Sequence, residues 1–247
     1  MRYFIPDIHP AAEAQAETAA QDKFGGRPWG LNPQQWPQCR ECGKSQSFLA
    51  QLIHDHERLD LGRTGRVLFV FQCNHDPGMC STWDGSSGAN ACFVVDPEDL
   101  GHAVADLPED SPLVENEARV LSWIEKDDGL AESLVPSFYL SKTFDHLGDD
   151  VLRKASWGTR LGGVPRWLQS AEEGPLLPWQ FVGQLDSTYS FLTAPKSPHA
   201  WISEDADRWE GRTHVGEGPN FGDGGIAYLF LRRAGDRPQG HVFWQCV

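Results

Sequence analysis

The amino-acid sequence predicts an α+β fold: two duplicated half-domains with mainly antiparallel β-strands, loop-rich and intertwined into one unit. Three observations lead to this prediction: an internal repeat of long period, short apolar runs of strand length, and many loops rich in Gly, Pro and Ser. Separate domains are usually joined by a flexible linker. No Gly-rich linker divides the two copies, so we expect the halves to intertwine.

The internal repeat consists of two similar segments, KFGGRPWGL at Lys23–Leu31 and RLGGVPRWL at Arg160–Leu168. Both contain a basic residue, an apolar residue, Gly-Gly, a variable residue, Pro and a nearby Trp. An apolar run that carries a glutamine follows each copy, FLAQL at Phe48–Leu52 and FVGQL at Phe181–Leu185. The period exceeds the roughly 20 to 50 residues of a solenoid unit. It therefore indicates duplication of a half-domain.

Other runs rich in Val, Ile, Phe, Leu or Tyr predict buried strands at Arg66–Cys73, Ala91–Asp96, Ile226–Arg233 and His241–Cys246. Two segments predict helices. Pro10–Lys23 is rich in Ala and Glu. Glu115–Asp127 places Val120, Leu121 and Ile124 on one helical face.

The domain prediction follows from these elements. We expect an N-terminal helical extension at residues 1–21 and one domain at 22–247. Within that domain the repeats span 22–110 and 158–247, and a partly helical connection joins them.

Composition restricts the classes of function. The chain has 247 residues, a formal net charge of −14, ten Trp and thirteen Phe. This charge argues against nonspecific nucleic-acid binding, which depends on Lys and Arg, and it suits a basic protein partner. Apolar runs near the roughly 18 residues of a membrane helix are missing from the sequence. The first residues also lack the apolar stretch of a signal peptide, so we expect a cytoplasmic protein that does not interact with membranes.

The strongest chemical motif is a set of four cysteines. Cys39 and Cys42 form a C-x2-C knuckle followed by Gly, and Cys73 and Cys80 follow a predicted strand. Two such pairs brought together form a tetrahedral structural zinc site. His75 could replace either cysteine of the second pair. The alternative is that the cysteines are free thiols in packed turns, since a reducing compartment disfavours disulfides.

The segment His54-Asp55-His56-Glu57 has the composition of a metal site, because His54 and His56 would share one face of a strand. No second cluster supplies the remaining ligands, so we interpret it as a solvated connection. The sequence contains no G-x-S-x-G elbow, and no cysteine stands in a recognisable catalytic context. We therefore expect a protein that is not an enzyme.

The repeated Gly-Gly-x-Pro elements allow two interpretations. As architectural corners, they use the glycines for positive φ, and Gln51 and Gln184 are buried and paired with backbone groups. As a functional surface, the two copies line one shared groove. Its binding residues would then be Trp29, Trp167, Gln51 and Gln184.

These motifs together resemble the YwqG-like family of bacterial proteins, a domain family of unknown function. The resemblance rests on KFGGRPWGL, the CRECGK knuckle, VLFVFQCNHDPGMC, RLGGVPRWLQ and GDGGIAYLFL, and it covers most of the chain from Asp22 onwards. It implies a duplicated α+β fold. The chain is more distantly similar to programmed cell death protein 2, whose relatives are chaperones for a ribosomal protein. YwqG-like proteins are also suggested to act as immunity proteins in toxin systems.

The combined prediction is a non-catalytic protein-binding module, of the immunity or antitoxin type, that binds a cognate basic protein. Two alternatives remain open at this point. One is a chaperone for a ribosomal protein client, and the other is a small-ligand binding protein that uses the groove between the repeats.

Overall fold

The computed structural model describes residues 1–10, 17–75, 79–114, 116–171, 174–175, 177–191, 208–209, 212–233 and 235–247. In these ranges ten strands form a closed barrel and three form a small separate sheet.

The first half of the barrel contains β1 (Arg2–Pro10), β2 (Lys23–Phe24), β3 (Ser47–Ile53), β4 (Val67–Gln72) and β5 (Asn90–Val95). The second half begins with β6 (Ala118–Asp127), β7 (Arg160–Gly162) and β8 (Gln180–Asp186). The small sheet contains β9 (Thr188–Phe191), β10 (Arg208–Trp209) and β11 (Arg212–Glu217), and the barrel ends with β12 (Ile226–Arg232) and β13 (Gln239–Gln245).

The barrel order is β1-β6-β2-β3-β4-β5-β13-β12-β8-β7, and β7 pairs with β1 to close it. All pairs are antiparallel. The series β2-β3-β4-β5 of the first half matches β7-β8-β12-β13 of the second, and the two series meet where β5 contacts β13. The first strand of each half is exchanged, because β1 pairs with β7 and β6 pairs with β2. The halves are intertwined through these two strands.

The α+β prediction is wrong, because the chain is a β-rich barrel with few and short helices. The described helices are α1 (Ser141–Phe144), α2 (Asp149–Leu152) and three 3-10 segments, Pro33–Gln35, Pro97–Asp99 and Glu132–Phe138. In the described residues no helix is long and apolar enough to span a bilayer.

Neither of the two predicted long helices is helical where the structure describes it. The helix predicted at Glu115–Asp127 is strand β6: Val120 is 9% exposed and its neighbour Leu121 is 60% exposed, which is the alternation of a strand. The N-terminal extension forms β1, and its residues Phe4 and Ile8 enter the core at even spacing. Residues 11–16 of the predicted helix Pro10–Lys23 lie outside the described residues, residues 17–22 are irregular, and Lys23 begins strand β2.

The strands predicted from apolar runs are confirmed as β4, β5, β12 and β13, and the glutamine-bearing runs are β3 and β8. Strands β4 and β12 read as continuous apolar sequence because both of their faces are buried. Leu68 and Leu229 point into the barrel core, whereas Phe69 and Phe230 belong to two separate clusters on the outside. The outer clusters are covered by the segments that follow the two Gly-Gly-x-Pro elements, which contribute Trp36 and Trp167.

The Gly-Gly-x-Pro elements are corners at which the chain leaves the barrel. All four glycines have positive φ, between +66° and +76°, at Gly25, Gly26, Gly162 and Gly163. A side chain would also lack space at the first corner, since a Cβ on Gly25 would lie 2.4 Å from the carbonyl oxygen of Asn116. Only glycine meets both requirements.

A buried glutamine holds each corner. The Gln51 side chain accepts a hydrogen bond from the Trp29 N–H (2.8 Å) and donates one to the Gln21 carbonyl (2.7 Å). Gln184 makes the equivalent bonds in the second half, from the Arg166 N–H (3.1 Å) and to the Gly158 carbonyl (3.0 Å). Both glutamines are 0% exposed. This confirms the prediction that they are buried and paired with backbone groups.

We predict that Gln51→Leu destabilises the protein strongly. The substitution leaves the Trp29 N–H and the Gln21 carbonyl without their partner, and each unpaired buried group costs about 1–3 kcal/mol. Urea unfolding should therefore show a lower midpoint than in the matched variant Gln34→Leu, whose glutamine is exposed. Equal midpoints for the two variants would contradict the role assigned to Gln51.

Candidate metal centre

Four cysteines come together at one end of the first half. Cys39 and Cys42 lie in the connection between β2 and β3, and Cys73 and Cys80 lie in the connection between β4 and β5. Register explains the meeting: Ser47 of β3 pairs with Gln72 of β4, which pairs with Asn90 of β5, so both connections leave the same end of the barrel. We call the four residues the cysteine cluster.

The first pair is presented by a tight turn. The Cys39 N–H donates to the Lys44 carbonyl and the Gly43 N–H donates to the Cys39 carbonyl, both at 2.8 Å. Gly43 has φ +74° with open space around it, so its conformation and not its size requires glycine. The turn is tied to the second loop, because the Arg40 N–H donates to the Gly88 carbonyl.

The spacing of the sulfur atoms fits a metal ion. All four Sγ atoms lie within 4.8 Å of one another, and Cys42 Sγ and Cys73 Sγ are 3.6 Å apart. A tetrahedral ion with Zn–S distances of about 2.3 Å separates its sulfur ligands by about 3.8 Å. A disulfide needs about 2.05 Å. The described cysteines are all free thiols, and the cluster has the geometry of a possible metal-binding site.

Burial and hydrogen bonds shift the thiol pKa values of Cys42, Cys73 and Cys80 in different directions. Burial raises the pKa of Cys80 to about 11, and burial also raises the pKa of Cys73 despite a hydrogen bond from the His75 N–H. Burial acts in the same direction on Cys42, but hydrogen bonds from the Lys44 N–H and from the other cysteines outweigh it and lower the pKa of this more exposed thiol. A metal ion binds thiolates and must displace these protons.

The alternative ligand His75 does not point into the cluster. Its Nε2 atom lies 3.0 Å from the Ser45 carbonyl oxygen, with which it hydrogen bonds. The four cysteines are therefore the ligand set that the structure assembles.

A second group of metal-ligand type contains His54, His56 and Asp60, whose ligand atoms lie within 4.8 Å of one another. The sequence pattern predicted the two histidines but not Asp60. A tight loop brings Asp60 close to both histidines. Two of the ligand atoms are already engaged: the Leu61 N–H donates to His54 Nδ1 at 2.9 Å, and Asp60 pairs with Arg233 at 2.6 Å, whereas the buried His54 Nε2 has no hydrogen-bond partner. A metal on Nδ1 would have to displace the Leu61 N–H, so these contacts favour a polar connection.

The four residues predicted to line a shared groove are all buried. Trp29 and Trp167 are 8% and 7% exposed, and Gln51 and Gln184 are buried in the two corners. The Trp167 indole donates to the Phe138 carbonyl, and its ring packs on Tyr228 of β12. This burial fits the interpretation of the repeats as architectural corners, and a shared groove lined by these residues stays a prediction.

Sequence reasoning missed Trp83, which follows Cys80 by three positions and is 47% exposed. Its ring contacts Trp244 of β13 edge to face, with centroids 6.4 Å apart. The signal in the sequence was a large aromatic residue in a short polar loop, three positions after a cysteine of the cluster.

No family model, no curated protein and no solved structure matches this chain. The resemblance to the YwqG-like family and to programmed cell death protein 2 therefore rests on sequence motifs alone and stays a prediction.

We predict that Cys39→Ser and Cys80→Ser each lower the metal content and the thermal stability together. A metal that joins two loops contributes directly to folding. A loss of about 3 kcal/mol would lower the Tm of a protein of this size by about 6–12 °C. Elemental analysis and thermal melts measure both effects, with Cys246→Ser outside the cluster as the control. Full metal content and an unchanged melt in either variant would show that the cluster binds no metal.

Proposed function

We propose that this protein is a non-catalytic, cytoplasmic protein-binding module of the immunity or antitoxin type, with a structural zinc ion in the cysteine cluster. It binds a basic protein partner through the surface beside that cluster. The observation that carries the proposal is Trp83, a large aromatic side chain held half-exposed on a loop that the cluster fixes.

Zinc is the metal that best suits the cluster. Four thiolates in a tetrahedral arrangement are typical of structural zinc, and four protein ligands leave no position for water or substrate. Three of the cysteines are buried. The ion would therefore stabilise the two loops and would not act in catalysis.

Trp83 is placed by a rigid segment. Its neighbour Thr82 is 4% exposed, and the Thr82 N–H and carbonyl bond to the Cys80 carbonyl and to the Asn90 side chain. The turn after it is fixed by Asp84, which accepts hydrogen bonds from the N–H and hydroxyl of Ser86. An exposed tryptophan on a pre-organised loop is the kind of residue that dominates the energy of protein interfaces.

Two acidic residues lie near the contacting pair Trp83 and Trp244. Asp84 is exposed, and hydrogen bonds from Ser86 hold the pKa of its carboxyl below the usual range, so it is ionised at neutral pH. Asp223 follows Gly222, where an added Cβ would come within 3.1 Å of the Trp244 ring. We call Trp83, Asp84, Asp223 and Trp244 the Trp83 surface.

The net charge of −14 extends this complementarity over the molecule. A negatively charged protein attracts a basic partner over long distances and increases the rate of encounter. Trp83 would then supply buried apolar contact once the partners meet. A protein with these properties can cover a basic active site, such as that of a toxin, without turnover.

We predict that affinity purification of the tagged protein from its host lysate, followed by mass spectrometry, recovers one stoichiometric basic partner. Trp83→Ala should lose this partner, and Leu121→Ala, which truncates another exposed apolar side chain on β6, should keep it. Recovery should fall as salt concentration rises, because charge steers the association.

The identity of the partner separates the two protein-binding alternatives, since a toxin supports immunity and a ribosomal protein supports a chaperone. Equal recovery by Trp83→Ala and Leu121→Ala, or no partner above background, would overturn the proposal. Thermal melts of both variants establish that they are folded.

A further inference from the structure

A groove of about 860 Å³ lies at the seam between the two halves. Its walls include Pro37, Phe93 and Val95 from the first half, and Trp179, Arg237 and Gln239 from the second. Phe93 and Val95 belong to the outer cluster of the first half, and Trp179 belongs to the outer cluster of the second. The groove is therefore the gap between the two outer layers, and we call it the seam groove.

The strand pairing explains why the gap exists. Strand β5 pairs with β4 at six positions and β13 pairs with β12 at seven, but β5 and β13 pair only at Phe93 and Gln239. They approach closely at Gly240, where an added Cβ would lie 2.5 Å from the Cys92 carbonyl oxygen. Before that point the chain contains Pro238, which has no N–H to donate to a ladder.

Contacts with Arg232 and His241 hold Trp179, one of the groove's aromatic residues, in position. The Arg232 guanidinium stacks on the Trp179 ring, 4.9 Å from its centroid, and Arg232 Nε donates to the Gln239 side chain at 3.1 Å. His241 contacts the same ring, with centroids 5.4 Å apart. Trp179 is thus pre-organised, and an apolar ligand would not have to order it on binding.

The groove is lined by a cation although the protein carries a negative net charge. In a chain of net charge −14, the one charged side chain among the lining residues that the structure describes is Arg237. Its contacts are long, 3.4 Å to Asp96 and 3.7 Å to Asp99, and its side chain is 48% exposed. The guanidinium has further N–H groups that can reach a ligand.

A ligand that draws Arg237 away would not leave Asp96 unpaired. Asp96 also accepts a hydrogen bond from Arg66 Nε at 2.6 Å, and that arginine is largely buried. The carboxylate therefore keeps its strongest partner. Arg237 is therefore the member of the network that a ligand can recruit, and its fork of donors matches a carboxylate.

We propose that the seam groove binds an amphiphilic carboxylate, with its apolar body between Phe93 and Trp179 and its carboxylate paired with Arg237. The volume lies in the range of small-molecule sites, and the lining combines aromatic side chains with polar groups that can fix the orientation of a ligand. The site is separate from the Trp83 surface and from the cysteine cluster, and its test does not depend on a protein partner.

Calorimetric titration of the full-length protein with dodecanoate, below its micelle concentration, tests the proposal. Dodecyltrimethylammonium is the matched probe, because it has the same apolar chain and the opposite charge. We expect dodecanoate to bind at one site and the cation to bind at least about tenfold more weakly. Trp179→Ala should weaken dodecanoate binding as well.

The charge requirement is tested with two arginine variants. Arg237→Gln should weaken dodecanoate about tenfold, whereas Arg63→Gln should leave it unchanged. Arg63 is a matched control, because it is 49% exposed and also faces Asp96, but it does not line the groove. Equal effects of the two variants, equal binding of both amphiphiles, or no saturable binding would each overturn the proposal. Thermal melts of the variants show whether they are folded.

Discussion

The structure depends on one repeated contact, the pairing of a buried glutamine amide with a chain corner. Each corner carries the chain from the barrel to its outer face, and there its backbone groups lose their ladder partners. Gln51 and Gln184 replace those partners with one acceptor and one donor each. A second equivalent contact stands beside each glutamine: Asp22 accepts the Ile53 N–H and Thr159 accepts the Asp186 N–H. Because buried polar groups without partners are costly, these contacts make the corners specific.

The rest of the fold follows from where the corners send the chain. Segments beyond them cover the outer faces of β4 and β12, so that these strands are buried on both sides and each half has two apolar layers. Each outer layer covers the strands of one half and does not extend around the whole barrel. At the seam between β5 and β13 neither layer continues across, and the barrel is closed there by a single paired position. The seam groove is thus a consequence of duplication.

The sequence was sufficient for features set by local pattern. Apolar runs located the strands, the repeat located both glutamines, and the C-x2-C knuckle led to a cluster whose four members the structure brings together. The predicted fold class was wrong because one segment fits the helical period of apolar residues but forms a strand. Val120 and Ile124 fit one helical face, but strand β6 buries Val120 and exposes Leu121, because pairing with β1 and β2 outweighs helical amphipathicity. Trp83, Asp60 and the seam groove depend on contacts between distant segments, which periodicity does not encode.

The two halves differ at one equivalent end of their strands, and this difference accounts for both candidate sites. In the first half, the segments before β3, after β4 and before β5 meet at the cysteine cluster. The corresponding segments of the second half lie before β8, after β12 and before β13, and there Trp179, Arg232 and Gln239 form a stack. The connection after β4 spans residues 73–89 and is long enough to supply two ligands and Trp83. The connection after β12 spans only 233–238 and cannot supply a metal site, so a cation–π contact fixes that end. Antiparallel pairing of β5 with β13 puts these places at opposite ends of the seam. One end is therefore filled by a long loop, and the other is left open as a groove.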